Sequence, residues 1–421
     1  MTFSTRTFRF PVGVIVLLAC ALLLSGCDEG SLNAPEVQSG GDNGDLFASY
    51  VALGNSITAG FQSGGIVDTT QEASYAVLLS EQMGTPFNIP TLVRPGCPPP
   101  FVELQQRPPG TNEETCGLRS QQTSGDVRNV ALPFAAVADA TSNETGNDRS
   151  ATFSQFLLGG RTQVQAALET NPTFASIWIG NNDVLGPARD GLGTATPQST
   201  FESEYTEMLD ELETAETLQG GVLVGVANIT VIPFFSPGPV YEALEGTPQF
   251  PPTLTVQNCT STGPNGLTPL VPLSYGFKLI GQARKPGGSA TLDCSADSKV
   301  LTLAEVQSLA SAVQQYNTFI ESQARQRDFA FFNPNDVLQT VYQDQNGTPN
   351  VPTDDPIPKF PATTADQPFG PFFSLDGIHP SDATHRLIAN ELVKLLNQPD
   401  DQGGYGTNLP TLNNVPSVPS P

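Results

Sequence analysis

Five short runs of almost uninterrupted apolar residues set the strongest limit on how this chain can fold. They are "ASYVALG" (48–54), "VRNVAL" (127–132), "FASIWIG" (174–180), "VLVGVANI" (222–229) and "DFAFF" (328–332). Strands with one wet face alternate apolar and polar side chains, whereas strands covered on both faces do not. Stretches with helical character lie between the runs, at 71–83, 152–170, 200–218, 302–327 and 381–397. Strand alternating with helix predicts a parallel sheet covered by helices on both sides. Residues 84–125 and 232–300 break the alternation. They read as two loop-rich insertions on one domain, not as a second domain. Parallel sheets bind ligands beyond the carboxyl ends of their strands, so insertions there are placed to shape a cleft.

The domain is expected to span 47–397. Before it, residues 1–26 combine Arg6 and Arg9 with the apolar run "VGVIVLLACALLL" and then "LSGC" at 24–27. A basic start, an apolar core and small residues before a cut describe a secretory signal. The apolar run is shorter than the ~20 residues a membrane span needs. Leu24-Ser25-Gly26-Cys27 looks like a bacterial lipobox, which makes Cys27 the expected lipidated residue and anchors the protein to a membrane, facing the periplasm or cell surface. Residues 27–46, acidic and Gly-containing, read as a flexible tether. Residues 398–421, rich in Pro, Asn and Gly, read as a disordered tail.

The formal net charge is −24, with 18 Lys and Arg against 42 Asp and Glu. That excludes nucleic acid as an expected partner, because phosphate binding needs a basic face. With Cys20 lost with the signal and Cys27 lipidated, Cys97, Cys116, Cys259 and Cys294 remain, an even number for an oxidising compartment. Four cysteines allow three pairings. The local ones, Cys97–Cys116 and Cys259–Cys294, are favoured, since each closes a Pro- or Gly-rich excursion with little core of its own. A metal site is disfavoured, because no two cysteines are close and no histidine is nearby.

The chain has only two histidines. His385 lies within the last helix beside Arg386 and reads as a surface residue. His379 lies in "SLDGIHPSD", just before that helix, three positions after Asp376. A Gly-containing turn of that length can bring the carboxylate to the imidazole Nδ1 and leave Nε2 as a base. A turn with an incidental histidine is the alternative. Ser56, in "YVALGNSITAG", is the candidate nucleophile, because a strand end presents its hydroxyl at the carboxyl edge of the sheet. The G-x-S-x-G elbow of α/β-hydrolases is absent. In "IWIGNNDVLG" (177–186), a side-chain amide at a second strand end is able to donate to a developing oxyanion; a polar turn is the alternative.

Together these pieces resemble the SGNH (GDSL-type) hydrolases. "GNSIT" ends the first strand, "GNND" (Gly180, Asn181, Asn182, Asp183) ends a middle strand, and "DGIH" precedes the last helix, in the family's order. Asn55 stands where the first block usually has Asp. "RNVALPFAAVAD" (128–139) looks like the second block, with Phe134 where a Gly is expected. The resemblance implies a three-layer α/β/α sandwich, flavodoxin-like, with a central parallel sheet of about five strands. It also implies a serine esterase with Ser56, His379 and Asp376 as triad. The oxyanion hole would comprise Ser56, Asn182 and Phe134, and no metal or organic cofactor is implied.

The Phe pairs in "VIPFFSPGPVY" (231–241) and "FGPFFSLDGIH" (369–379) suggest an apolar acyl pocket, hence a carboxylesterase or lipase acting on a small-molecule or lipid ester. Removal of acetyl groups from carbohydrate is the alternative, and a non-catalytic surface lipoprotein that binds a ligand on a retained hydrolase fold is a further one.

Overall fold

The structure, a computed structural model, describes residues 44–117, 119, 126–191, 193–247, 250–342, 360–361 and 366–416. The expected signal segment, Cys27 and most of the tether lie outside the described residues.

Four of the five apolar runs form one parallel sheet. Its strands are β1 (Tyr50–Gly54), β2 (Phe174–Trp178), β3 (Gly220–Val224) and β4 (Ala330–Phe332), in that spatial order. Tyr50 lies opposite Phe174, Phe174 opposite Gly220, and Val222 opposite Ala330. The fifth run, 127–132, is not a full strand. It lies along the outer edge of β1, where Ala52 N–H donates to Arg128 O at 2.8 Å and Val130 N–H to Ala52 O at 2.9 Å. Leu132 N–H still donates to Gly54 O at 3.1 Å, but the ladder stays short because the next donor, Gly54 N–H, is taken by Gln163 Oε1 at 2.8 Å. Counting this edge, the spatial order follows the chain as 2-1-3-4-5, the flavodoxin-like doubly wound arrangement. Its switch point falls between β1 and β2.

Strand alternation explains why the runs are apolar throughout. Val51, Leu53, Ala175, Ile177 and Leu223 join one core. Tyr50, Ala52, Phe174, Trp178, Val222 and Val224 join another on the opposite face. Helices Gln198–Leu212 and Leu303–Gln326 supply Tyr205, Leu209, Val313 and Ile320 to the first core. Helices Tyr75–Met83 and Asp382–Leu396 supply Leu79, Ile388, Leu392 and Leu396 to the second. Each such side chain contributes about 1.5–3 kcal/mol by leaving water. Helix starts follow the local chemistry. Thr302 caps Leu303–Gln326 in a capping box with Glu305, and Ser381 Oγ accepts the N–H of Thr384 at the start of Asp382–Leu396. The helix expected over 152–170 is instead three pieces. Asp148–Phe153 runs into a π turn at Ser154–Leu158, the pair Gly159-Gly160 breaks it, and Gln163–Leu168 follows.

Both expected disulfides are formed, Cys97–Cys116 and Cys259–Cys294. Closing loops of these lengths stabilises each by about 3–4 kcal/mol in the chain-entropy model. The described residues of the first insertion are mostly turns and bends. The second departs from the loop-rich expectation, because it holds helices Gly238–Leu244 and Leu273–Ala283 and two small sheets. It also has a core of its own, with Tyr241, Leu254, Leu279 and the disulfide inside.

The tail is also different from the expectation of disorder. Residues 398–416 fold back onto the second core, where Leu409 and Leu412 pack. The Tyr405 hydroxyl accepts the N–H of Gly221 at 2.8 Å. Composition misleads here because a few apolar anchors outweigh the many turn residues around them.

Candidate active site

The carboxyl ends of β1 and β2 meet at the switch point, and each end is shaped by a glycine with no room for a side chain. A Cβ on Gly54 would lie 2.3 Å from Thr58 Oγ1 and 2.6 Å from Trp178 O. Gly180 has φ +108°, and a Cβ there would lie 2.9 Å from both Phe201 and Val226.

After Gly54 the chain turns into the one-turn helix Ser56–Ala59. Asn55 caps it, its Oδ1 accepting the N–H of Ile57 at 3.0 Å. An Asp would make the same bond through a carboxylate oxygen, so the substitution keeps the cap. Ser56 takes the first helical position, where a backbone N–H has no partner within the helix. Its side chain is almost buried, at 8% exposure.

His379 reaches Ser56 from the opposite end of the sequence. Its Nε2 lies 2.9 Å from Ser56 Oγ, and its Nδ1 lies 2.7 Å from Asp376 Oδ2. A carboxylate only accepts, which puts the ring proton on Nδ1 and leaves Nε2 to accept from the Ser56 hydroxyl. Asp376 also accepts the N–H groups of Ile378 and His379 on Oδ1, at 2.8 and 2.9 Å, and that of Gly64 on Oδ2 at 2.6 Å. Burial pushes this carboxyl up, but the neighbouring His379 and these hydrogen bonds outweigh it and hold it down at about 2. Asp376 therefore stays ionised, and the Asp-x-x-His turn is bound to the segment that follows Ser56. The Phe61 ring packs 5.0 Å from the His379 ring.

Of the remaining expected residues, Asn182 lies in the first turn of helix Asn181–Asp190 and Phe134 in the turn that follows 127–132. Asn182 donates one Nδ2 hydrogen to Ala135 O at 2.8 Å, so the second N–H remains to point elsewhere. Phe134 has φ +67°, a backbone that L residues seldom adopt and glycine adopts freely. Phe134 thus holds a backbone that suits glycine, the residue expected at this position. Asn147 holds it, donating to Phe134 O at 2.9 Å and to Asp139 Oδ2 at 2.6 Å, while Asp139 Oδ2 also accepts the N–H of Ala136.

Three features were not read from the sequence. Asp183 is buried, its Oδ2 accepting the N–H of Val137 at 3.0 Å and its Oδ1 the Thr196 hydroxyl at 2.9 Å. Burial pushes its carboxyl up to about 7, against the lowering effect of those hydrogen bonds. The clamps from Gly64 and Asn147 carry no sequence signal, since a backbone N–H and a loop amide look alike everywhere.

His385 corrects an expectation. It is fully buried, not on the surface, and its Nδ1 accepts the N–H of Tyr75 at 3.1 Å. Burial, with His379 nearby, lowers its pKa to about 3. The signal was available, because His385 stands three and four residues before Ile388 and Ala389 on the buried stripe of its helix.

His379 and Asp376 line a cleft of about 640 Å³. The first insertion contributes Pro98, Phe101 and Arg107 to its wall, and the second contributes Phe234 and Ser274. The Phe pairs divide between sites. Phe234 faces this cleft, while Phe235 is buried in the core. Phe372 and Phe373 line a separate apolar cavity of about 90 Å³, with Ile57, Ile378 and Pro380.

A doubly wound parallel sheet with a serine, an imidazole and a carboxylate in hydrogen-bond succession at its carboxyl edge has the geometry of an α/β serine hydrolase. The family is more particular. The model of the GDSL-like lipase/acylhydrolase family matches residues 50–392, and the chain belongs to that family. No curated protein matches the chain significantly. Among solved structures, the chain is similar to a mutant of the acetyl-xylooligosaccharide esterase Axe2 from Geobacillus. Identity is 13%, the match covers 82% of this chain and 92% of that one, and the TM-score is 0.34.

Proposed function

We propose that the protein is a serine esterase that hydrolyses carboxylic esters through an acyl-enzyme at Ser56. The observation that carries the reading is the succession Ser56 Oγ, His379 Nε2, His379 Nδ1 and Asp376 Oδ2, linked at 2.9 and 2.7 Å. Ser56 Oγ attacks the ester carbonyl as His379 Nε2 takes its proton. The same nitrogen returns the proton to the leaving alcohol. Water then attacks the acyl-enzyme with His379 again as base, and Asp376 remains ionised throughout, keeping the Nδ1 proton in place. The N–H of Ser56, the second amide N–H of Asn182 and the N–H of Phe134 are the oxyanion donors in this scheme. One such donor is worth about 3–4 kcal/mol of barrier.

The acyl group is that of a carboxylesterase or lipase in this reading, and Phe234 in the cleft supports it. A second reading, an esterase of polar substrates such as acetylated carbohydrate, is favoured by the polar part of the same lining, Gln105, Thr111, Asn112 and Ser274. The domain works at a membrane, held by lipid on Cys27, and the lipobox sequence supports that placement.

A fluorophosphonate probe tests the chemistry. The wild-type domain is expected to be labelled covalently and Ser56→Ala is not. Equal labelling of both removes Ser56 as nucleophile, and no labelling of a folded wild type favours a ligand-binding lipoprotein. Rates on acetyl, butyryl and long-chain nitrophenyl esters, beside acetylated xylan, separate the substrate classes. Cys27→Ser is expected to release the protein from the membrane fraction.

A further inference from the structure

The cleft differs in sign from the rest of the molecule. The chain carries 18 Lys and Arg against 42 Asp and Glu, yet Arg107, Arg149 and Arg189 line the cleft against only Glu113 and Asp376. Asp376 is already engaged by His379. Arg107 serves the wall itself. It donates to Gly64 O at 3.0 Å and lies 3.7 Å from Glu113.

Arg149 is different. It is exposed, and its guanidinium lies 4.0 Å above the Phe134 ring. Among the described residues no carboxylate forms an ion pair with it. A ring face holds a guanidinium by its quadrupole and leaves the N–H edge free to meet an anion. Ring contacts then connect it to the reacting groups. Phe134 packs 5.5 Å from Phe61, and Phe61 packs 5.0 Å from His379. A cation is therefore fixed on the cleft wall a few side chains from the Ser56–His379 pair, in a protein whose surface otherwise repels anions.

We propose that the cleft takes esters that also carry a carboxylate, on either the acyl or the alcohol part, and that Arg149 receives it. Arg149 is a specificity-determining residue in this scheme. A planar guanidinium binds a carboxylate through two parallel N–H donors, a geometry that an ammonium lacks. The carboxylate sits several bonds from the scissile carbonyl, because two aromatic rings intervene between Arg149 and His379. The inference rests on the esterase reading above.

Matched esters test it. 4-Acetoxybenzoate against methyl 4-acetoxybenzoate places the charge on the alcohol side. Mono-4-nitrophenyl adipate against 4-nitrophenyl hexanoate places it on the acyl side. With each rate divided by the rate of hydroxide on the same ester, the wild type is expected to favour the charged member of one pair about tenfold in kcat/KM. Arg149→Ala is expected to remove that preference, and Arg149→Lys to keep part of it. The pair that responds identifies the side. A wild type that turns over all four esters without favouring either charged one overturns the proposal alone, as does a preference unchanged in Arg149→Ala. A wild type that hydrolyses none of them overturns the esterase reading, and the proposal with it.

Discussion

Asp183 Oδ2 accepts the backbone N–H of Val137 at 3.0 Å, so the turn that carries Asn182 and the turn that carries Phe134 are one bonded unit. The carboxylate is buried and belongs to no exposed surface. Asp183→Ala leaves the Val137 N–H and the Thr196 hydroxyl without their acceptor. Each unsatisfied buried group costs about 1–3 kcal/mol. A lower Tm is expected, with kcat reduced along with it. Asp183→Asn keeps an acceptor for Val137 and should lie near the wild type on both measures. Equal loss in both variants would show that the charge, not the hydrogen bond, matters.

Removal of the Asn182 amide is expected to act on the chemical step. Asn182→Ala should lower kcat by about 100-fold with KM little changed, the pattern of an interaction made mainly in the transition state. Steady-state kinetics on a nitrophenyl ester measures it, and a change confined to KM would remove Asn182 from the oxyanion hole.

Phe134 tests whether the backbone or the ring matters at its position. At φ +67°, a side chain with a Cβ carries a cost that glycine escapes, about 1–2 kcal/mol. Phe134→Gly and Phe134→Ala both lose the ring contacts, yet the glycine variant should be the more stable of the two by about 1 kcal/mol. Denaturant unfolding of the pair measures the difference. Equal stability would mean that the left-handed turn is not retained.

Asp376 and His385 both lower stability in acid, against the opposite contribution of Asp183, whose carboxyl is raised from 3.8 to about 7 and so gains stability as pH falls from about 7 to 4. Asp376 is held down at about 2 from an ordinary 3.8. Its contribution to stability is therefore complete above about pH 4 and lost as pH falls towards 2. His385 is lowered from 6.5 to about 3 by burial. The unfolded chain takes up a proton there before the folded one does, so stability falls as pH drops from about 6.5 to 3. His385→Gln keeps an acceptor for the Tyr75 N–H and has no titration. Its Tm should be flatter than that of the wild type between pH 6.5 and 3. Parallel profiles would exclude His385 as the source of the slope.

Asp376→Asn should reduce kcat by about 10⁴-fold, because an amide that donates to Nδ1 selects the wrong imidazole tautomer. Folding should persist at neutral pH, since the amide oxygen still accepts backbone N–H groups. Activity near wild type would mean that another group orients His379.

The amino-acid sequence by itself determined the parallel α/β class, because unbroken apolar runs such as "YVALG" and "FASIW" leave a strand no wet face. It also brought forward Ser56, Asn182, Asp376 and His379, since a family with its blocks in order leaves residue types at strand ends that packing alone does not call for. Local pairing of the cysteines was legible because each pair closes a Pro- or Gly-rich excursion.

What only the tertiary structure decided depends on groups far apart in the chain. Ser56 meets His379 across a sequence separation of 323 positions. The acceptor role of Asp183, the clamp of Gly64 on Asp376, the burial of His385, and the return of Tyr405 to Gly221 all pair a side chain with a remote backbone. Backbone N–H and C=O groups are the same at every residue, so their pairing leaves no mark in composition or periodicity. Only when the helices pack on the sheet does a given carboxylate find its own N–H.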